Sequence, residues 1–125
     1  KLKKLKSIND KSKSNVNIYR KNLNSRFIKI SEDKKNEINS YVMLLSQAEK
    51  RDELQKYLNS YKIQSLVYYG TPLHLHKATK KLGYKKGSLP TAEKLAKKVL
   101  ALPHHQNLSK KQILYVCEKI NSFYN

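Results

Sequence analysis

Between positions 2 and 23 the apolar residues Leu2, Leu5, Ile8, Val16, Tyr19 and Leu23 recur at helical intervals, with Ser12 in the gap. This spacing runs one mainly apolar stripe along a long helix. No capping residue precedes it, so the chain is expected to begin inside a helix. The pattern breaks at Asn24-Ser25, and residues 26–30 (RFIKI) then alternate as a short strand. A polar linker, SEDKKNE, follows at 31–37. Residues 41–45 (YVMLL) form a continuous apolar run of strand length, which predicts a strand covered on both faces.

Leu54, Tyr57, Leu58 and Tyr61 return to the helical interval and mark a helix beginning near Arg51. Residues 63–69 (IQSLVYY) have strand character until Gly70 and Pro72 end it. Further on, Ala92, Leu95, Ala96, Val99 and Leu100 share one face of a predicted helix that Pro103 stops. Ser109 and Gln112 form a capping box for a last helix, whose buried face is Ile113, Val116, Cys117, Ile120 and Tyr124. The expected fold class is α+β: a small sheet of about three strands packed by helices, with a long N-terminal helix and no internal repeat.

Composition narrows the function classes. A chain of 125 residues fits one small domain. No apolar run approaches the ~20 residues that span a bilayer. The lone Cys117 allows no internal disulfide and lies on an apolar stripe, so a buried, reduced thiol and a soluble, cytoplasmic setting are expected. The formal net charge of +18 would suit a nucleic-acid partner. Only Arg20, Arg26 and Arg51 are arginines, however, and arginine is the residue that forks onto phosphates and guanines. The charge therefore reads as a solvated lysine surface, with nucleic acid an unlikely partner.

Candidate chemistry is sparse. His74 with His76 could share a face toward a metal, but His104 and His105 diverge and no further ligands complete a site, so no metal is expected. Cys117 lacks a neighbouring base and reads as core. Gly70, Gly83 and Gly87 fall in separate turns and build no phosphate loop. Tyr68 and Tyr69 end a predicted strand, where successive side chains point to opposite faces. One ring can pack inward while the other meets a ligand, stacking on a sugar or base and donating one hydrogen bond.

The order of parts from residue 67 to 109 resembles the C-terminal region of the DegT/DnrJ/EryC1/StrS sugar aminotransferases. That family carries His-Tyr-Pro-x-Pro-Leu-His-x-Gln, then Leu-Gly-Tyr, a helix beginning Pro-x-Ala-Glu, and Leu-Pro before a Ser-capped final helix. Here the same order reads Tyr68-Tyr69-Gly70-Thr71-Pro72-Leu73-His74-Leu75-His76, Leu82-Gly83-Tyr84, Pro90-Thr91-Ala92-Glu93, Leu102-Pro103 and Ser109. RDELQKYL from Arg51 resembles the family's small-domain helix, and LKKL from Leu2 its interdomain helix.

The resemblance implies a pyridoxal-phosphate enzyme that aminates a nucleotide-linked keto sugar, as in surface polysaccharide or amino-sugar biosynthesis, using an amino-acid donor and acting as a homodimer. It implies that residues 1–25 are an interdomain helix and 26–125 the C-terminal small domain, with the large cofactor-binding domain absent from this chain. The substrate-binding candidates are then Tyr68, Tyr69 and His74. No catalytic or cofactor-binding residue is assigned in this chain, and the chain alone is expected to be inactive. Tyr68 stands where the family has His, Gly70 where it has Pro, and His76 where it has Gln. A phenol cannot replace an imidazole in proton transfer near neutral pH, which leaves position 68 stacking and hydrogen bonding. The rival reading is a free-standing lysine-rich module that binds nucleic acid or another polyanion. A third is a degenerate homologue with a structural role.

Overall fold

The computed structural model describes residues 2–125. Four α-helices, α1 (Leu5–Asn22), α2 (Arg51–Ser60), α3 (Pro90–Lys98) and α4 (Lys110–Tyr124), accompany a sheet of β1 (Ile28–Ile30), β2 (Leu44–Ala48) and β3 (Val99–Leu102). The sheet is antiparallel in the order β1-β2-β3, with Ile28 opposite Ala48 and Leu44 opposite Leu102. Short 3-10 turns lie at Leu2–Lys4, Leu73–Leu75 and Lys77–Leu82. The expected α+β class, three-stranded sheet and long first helix are all present.

Side chains alternate across a strand, so Ile28, Leu44, Ala48, Leu100 and Leu102 fall on one face of the sheet. They join Val16 and Tyr19 of α1, Leu54 and Leu58 of α2, and Ile113, Val116, Cys117 and Ile120 of α4 in one core. The capping box forms as expected: Gln112 N–H donates to Ser109 Oγ at 3.2 Å, and Ser109 N–H to Gln112 Oε1 at 2.9 Å. Cys117 is buried, and burial pushes its thiol up to about 12, so it is un-ionised packing material at neutral pH. The stripe on α1 is buried only from Ser12 onward, with Asn15, Val16 and Tyr19, while Leu5 and Ile8 stay exposed.

The strands depart from the expected positions in three places. First, β2 begins at Leu44, three residues later than expected, because Tyr41 adopts φ 49° and turns the chain while its ring is buried. Val42 and Met43 are left exposed, and β2 is fully covered on one face only. Second, the helix expected through Leu100 ends at Lys98, and Val99–Leu102 is the third strand. Its apolar run satisfies the helical interval by coincidence, and pairing with β2 decides the matter; Pro103 stops a strand rather than a helix. Third, residues 63–69 form no strand. Lys62 and Tyr69 bracket them in the left-handed region, and only Leu66 pairs, in one bridge with Ala101.

That bridge is part of a wider closure of β3. The outward carbonyl of Val99 accepts from Arg51 Nη1 at 2.8 Å, and Ala101 exchanges both backbone hydrogen bonds with Leu66. The carbonyl of Pro103 accepts from the Tyr19 hydroxyl at 2.7 Å. Arg51, at the first turn of α2, and Tyr19, in the last turn of α1, are both buried. Tyr19→Phe keeps the ring and removes only the donor to Pro103. The unmet carbonyl should cost about 1–3 kcal/mol, seen as a lowered melting temperature with unchanged far-ultraviolet circular dichroism.

Candidate functional site

The extended segment that pairs with β3 through Leu66 carries Tyr68 and Tyr69 just beyond the bridge. Tyr68 is 37% exposed and Tyr69 68% exposed. Strand alternation does not continue through the pair: Tyr69 sits at φ 57°, in the left-handed region that bulky residues rarely occupy. Gly70 follows where a Cβ would stand 3.0 Å from Val67 Cγ1, so the chain turns where glycine fits best. Strain of this kind is kept where surrounding structure imposes it, and it concentrates at ligand-contacting positions.

From Gly70 to Leu89 the chain is almost wholly exposed, with His74 as the buried exception at 7% exposure. His74 Nε2 lies 3.0 Å from Glu93 Oε1 on α3, and its ring meets Tyr84 edge-on at 6.2 Å. The same Glu93 oxygen accepts the backbone N–H of Gly87 at 2.7 Å. The His74 hydrogen bond, with help from the Gly87 and Leu89 amides, holds the Glu93 carboxyl below the usual carboxylate range. Within the loop, Thr79 Oγ1 donates to the carbonyls of Leu73 and His76, and His76 Nε2 lies 3.1 Å from the Thr71 carbonyl.

A groove of about 680 Å³ opens beside this segment, lined by Met43, Leu66, Tyr68, His104, Lys111 and Tyr115 among others. Its lining includes neither Tyr69 nor His74, so the three sequence candidates do not share one cavity. Both ring nitrogens of His104 are buried without a hydrogen-bond partner. Burial, then the neighbouring His105, hold its imidazole below its ordinary value and therefore neutral near pH 7. Sequence reasoning assigned no role to Glu93. The available signal was its isolation, for it is the first acidic residue after Glu53.

Two of the three arginines are committed to internal contacts. Arg51 holds Val99, and Arg20 ties the linker to α1 through Asp33, the Ser31 carbonyl and the Tyr41 hydroxyl. Arg26 lies over the Phe27 ring. Among the described residues no three His, Cys, Asp or Glu side chains gather as metal ligands, and no helix is long and apolar enough to cross a membrane.

Residues 1–121 match the DegT/DnrJ/EryC1/StrS aminotransferase family. The chain belongs to this family. It is 52% identical over 77 residues to the "Pleiotropic regulatory protein" of Geobacillus stearothermophilus, covering 62% of this chain and 21% of that protein. It is 32% identical over 117 residues to GDP-perosamine synthase of Escherichia coli O157:H7, covering 88% and 30%. Its backbone matches S. venezuelae DesV, solved in complex with a ketimine intermediate, with a TM-score of 0.90 at 28% identity over 98% of this chain and 33% of that one. The chain thus spans between a fifth and a third of the length of these DegT/DnrJ/EryC1/StrS relatives.

Pyridoxal phosphate, the cofactor associated with this family, does not fit this chain's own residues. A Schiff-base lysine is activated by desolvation in a pocket. The described lysines are exposed, apart from Lys98 and Lys119, which are partly covered and paired with Glu49 and Glu118.

The left-handed backbone at Tyr69 gives a test independent of ligand. Tyr69→Gly and Tyr69→Ala both delete the ring, but only glycine relieves the conformation. The glycine variant should be more stable than the alanine variant by about 1 kcal/mol, measured by urea unfolding; equal stabilities would contradict the positive φ.

Proposed function

We propose that this chain is the C-terminal small domain, with the interdomain helix at residues 1–25, of a pyridoxal-phosphate aminotransferase that aminates a nucleotide-linked keto sugar. Its part is to form one wall of the sugar-nucleotide pocket. The cofactor, the Schiff-base lysine and the covalent chemistry belong to a large domain outside this chain, and the amino-acid donor and a homodimeric partner act in the whole enzyme.

The observation that carries this reading is the match to an aminotransferase family over residues 1–121. The name of the relative that aligns over 88% of the chain, GDP-perosamine synthase, supports a nucleotide-linked sugar as the substrate class. The local geometry is compatible with that task. Tyr68 and Tyr69 offer exposed aromatic faces and phenol donors at the end of a segment fixed to the sheet, and His74 shapes the loop they lead into. Tyr68 binds rather than transfers protons.

An enzyme that carries this segment, supplied with pyridoxal phosphate, amino-acid donors and GDP- and dTDP-linked keto sugars, should release an aminated nucleotide sugar detectable by mass spectrometry. Tyr69→Ala should lower kcat/KM for the sugar nucleotide roughly five- to hundredfold, with Tyr68→Ala similar or milder and cofactor absorbance unchanged in both. Tyr68→His should be tolerated better than Tyr68→Ala. No amination of any nucleotide sugar by a cofactor-loaded enzyme would overturn the reading. Unaltered efficiency in both alanine variants would return the tyrosines to a packing role.

A further inference from the structure

We propose that Glu93 is a positioning residue for the Tyr68–Tyr69 wall, acting through His74 and Gly87 as a latch on the loop between residues 70 and 89. This role rests on the proposed substrate wall for its functional consequence, but not for its geometry.

The loop is long and exposed, and little apolar burial holds it. Two short 3-10 turns, Leu73–Leu75 and Lys77–Leu82, are its only regular structure, so a loop of this length needs specific ties to stay in one conformation. Its first half is a self-bonded unit, because Thr79 grips the carbonyls of Leu73 and His76 while His76 reaches back to Thr71. A unit bonded only to itself can still swing as a body. The side chain that fixes it to the rest of the fold is His74, buried and bonded at 3.0 Å to Glu93 Oε1. The second half has its own internal tie, Lys85 N–H to Ser88 Oγ at 3.0 Å, and reaches the same Glu93 oxygen through Gly87 N–H at 2.7 Å.

Glu93 thus gathers both halves at one atom, and α3 holds it rigidly: Ala96, one turn on, is buried, and the helix runs directly into β3. The strand joined to that helix bonds Leu66 through Ala101. The tyrosine pair therefore hangs between two points fixed on the same α3–β3 unit, the Leu66 bridge on one side and the Glu93 latch on the other. Removing the latch leaves Tyr69, held in a left-handed conformation it would not choose, free to relax. Charge sharpens the dependence, because Glu93 is the one carboxylate between Glu53 and Glu118 and the loop's lysines offer no substitute acceptor.

The test is Glu93→Ala beside Glu93→Gln, whose amide oxygen keeps an acceptor for His74 and Gly87. Amide hydrogen exchange on this chain should quicken at least about tenfold across residues 68–88 in Glu93→Ala, with α1, β2 and α4 unchanged and Glu93→Gln intermediate. In the enzyme that carries the segment, Glu93→Ala should raise KM for the nucleotide sugar roughly tenfold or more, leave KM for the amino donor unchanged, and be partly rescued by Glu93→Gln. Unchanged exchange over 68–88 would overturn the latch whatever the enzyme's activity. Faster exchange with an unchanged sugar-nucleotide KM would overturn the positioning role. A wild-type enzyme that aminates no nucleotide sugar would instead sink the functional reading and leave the exchange result standing.

Discussion

The outward edge of β3 is the constraint on which the rest of the structure depends. Unpaired backbone groups along the outer edge of a strand are a template for pairing with another chain. Here Arg51 takes the Val99 carbonyl, Leu66 takes both groups of Ala101, and Tyr19 takes the carbonyl of Pro103. Each of these partners comes from a different part of the chain: the start of α2, the 63–69 segment and the last turn of α1. Closing this edge therefore fixes the placement of two helices and the segment relative to the sheet, while the opposite edge of β3 pairs with β2.

The exposed tyrosines owe their position to the same closure. Tyr68 and Tyr69 follow the Leu66 bridge by two and three residues, too few for the chain to wander far before Gly70 turns it into the loop. The sheet thus acts as a base from which the proposed ligand wall and the loop beyond it are held. Apart from Lys98 and Lys119, the described lysines are exposed to solvent.

Much of this was legible in the residues. The break after α1, the start of α2 at Arg51 and the Ser109–Gln112 cap follow from local chemistry that tertiary packing did not override. The strands were harder. Val99–Leu102 continues the helical interval of α3, and only the presence of β2 opposite it makes a strand; YVMLL reads as one run because nothing local announces the positive φ of Tyr41. Of the candidate site, Tyr68 and Tyr69 are exposed, whereas the burial of His74 against Glu93 was invisible because the two lie 19 residues apart. The edge contacts of Arg51 and Tyr19 span 48 and 84 residues, and no periodicity reports such pairings.

Backbone amide exchange followed by nuclear magnetic resonance tests the central claim directly. If the β3 edge is closed as described, the Leu66 and Ala101 amides exchange as slowly as the buried residues of α4, requiring global unfolding to open. Exchange of Leu66 and Ala101 at the rate of the exposed 70–89 loop would contradict the account.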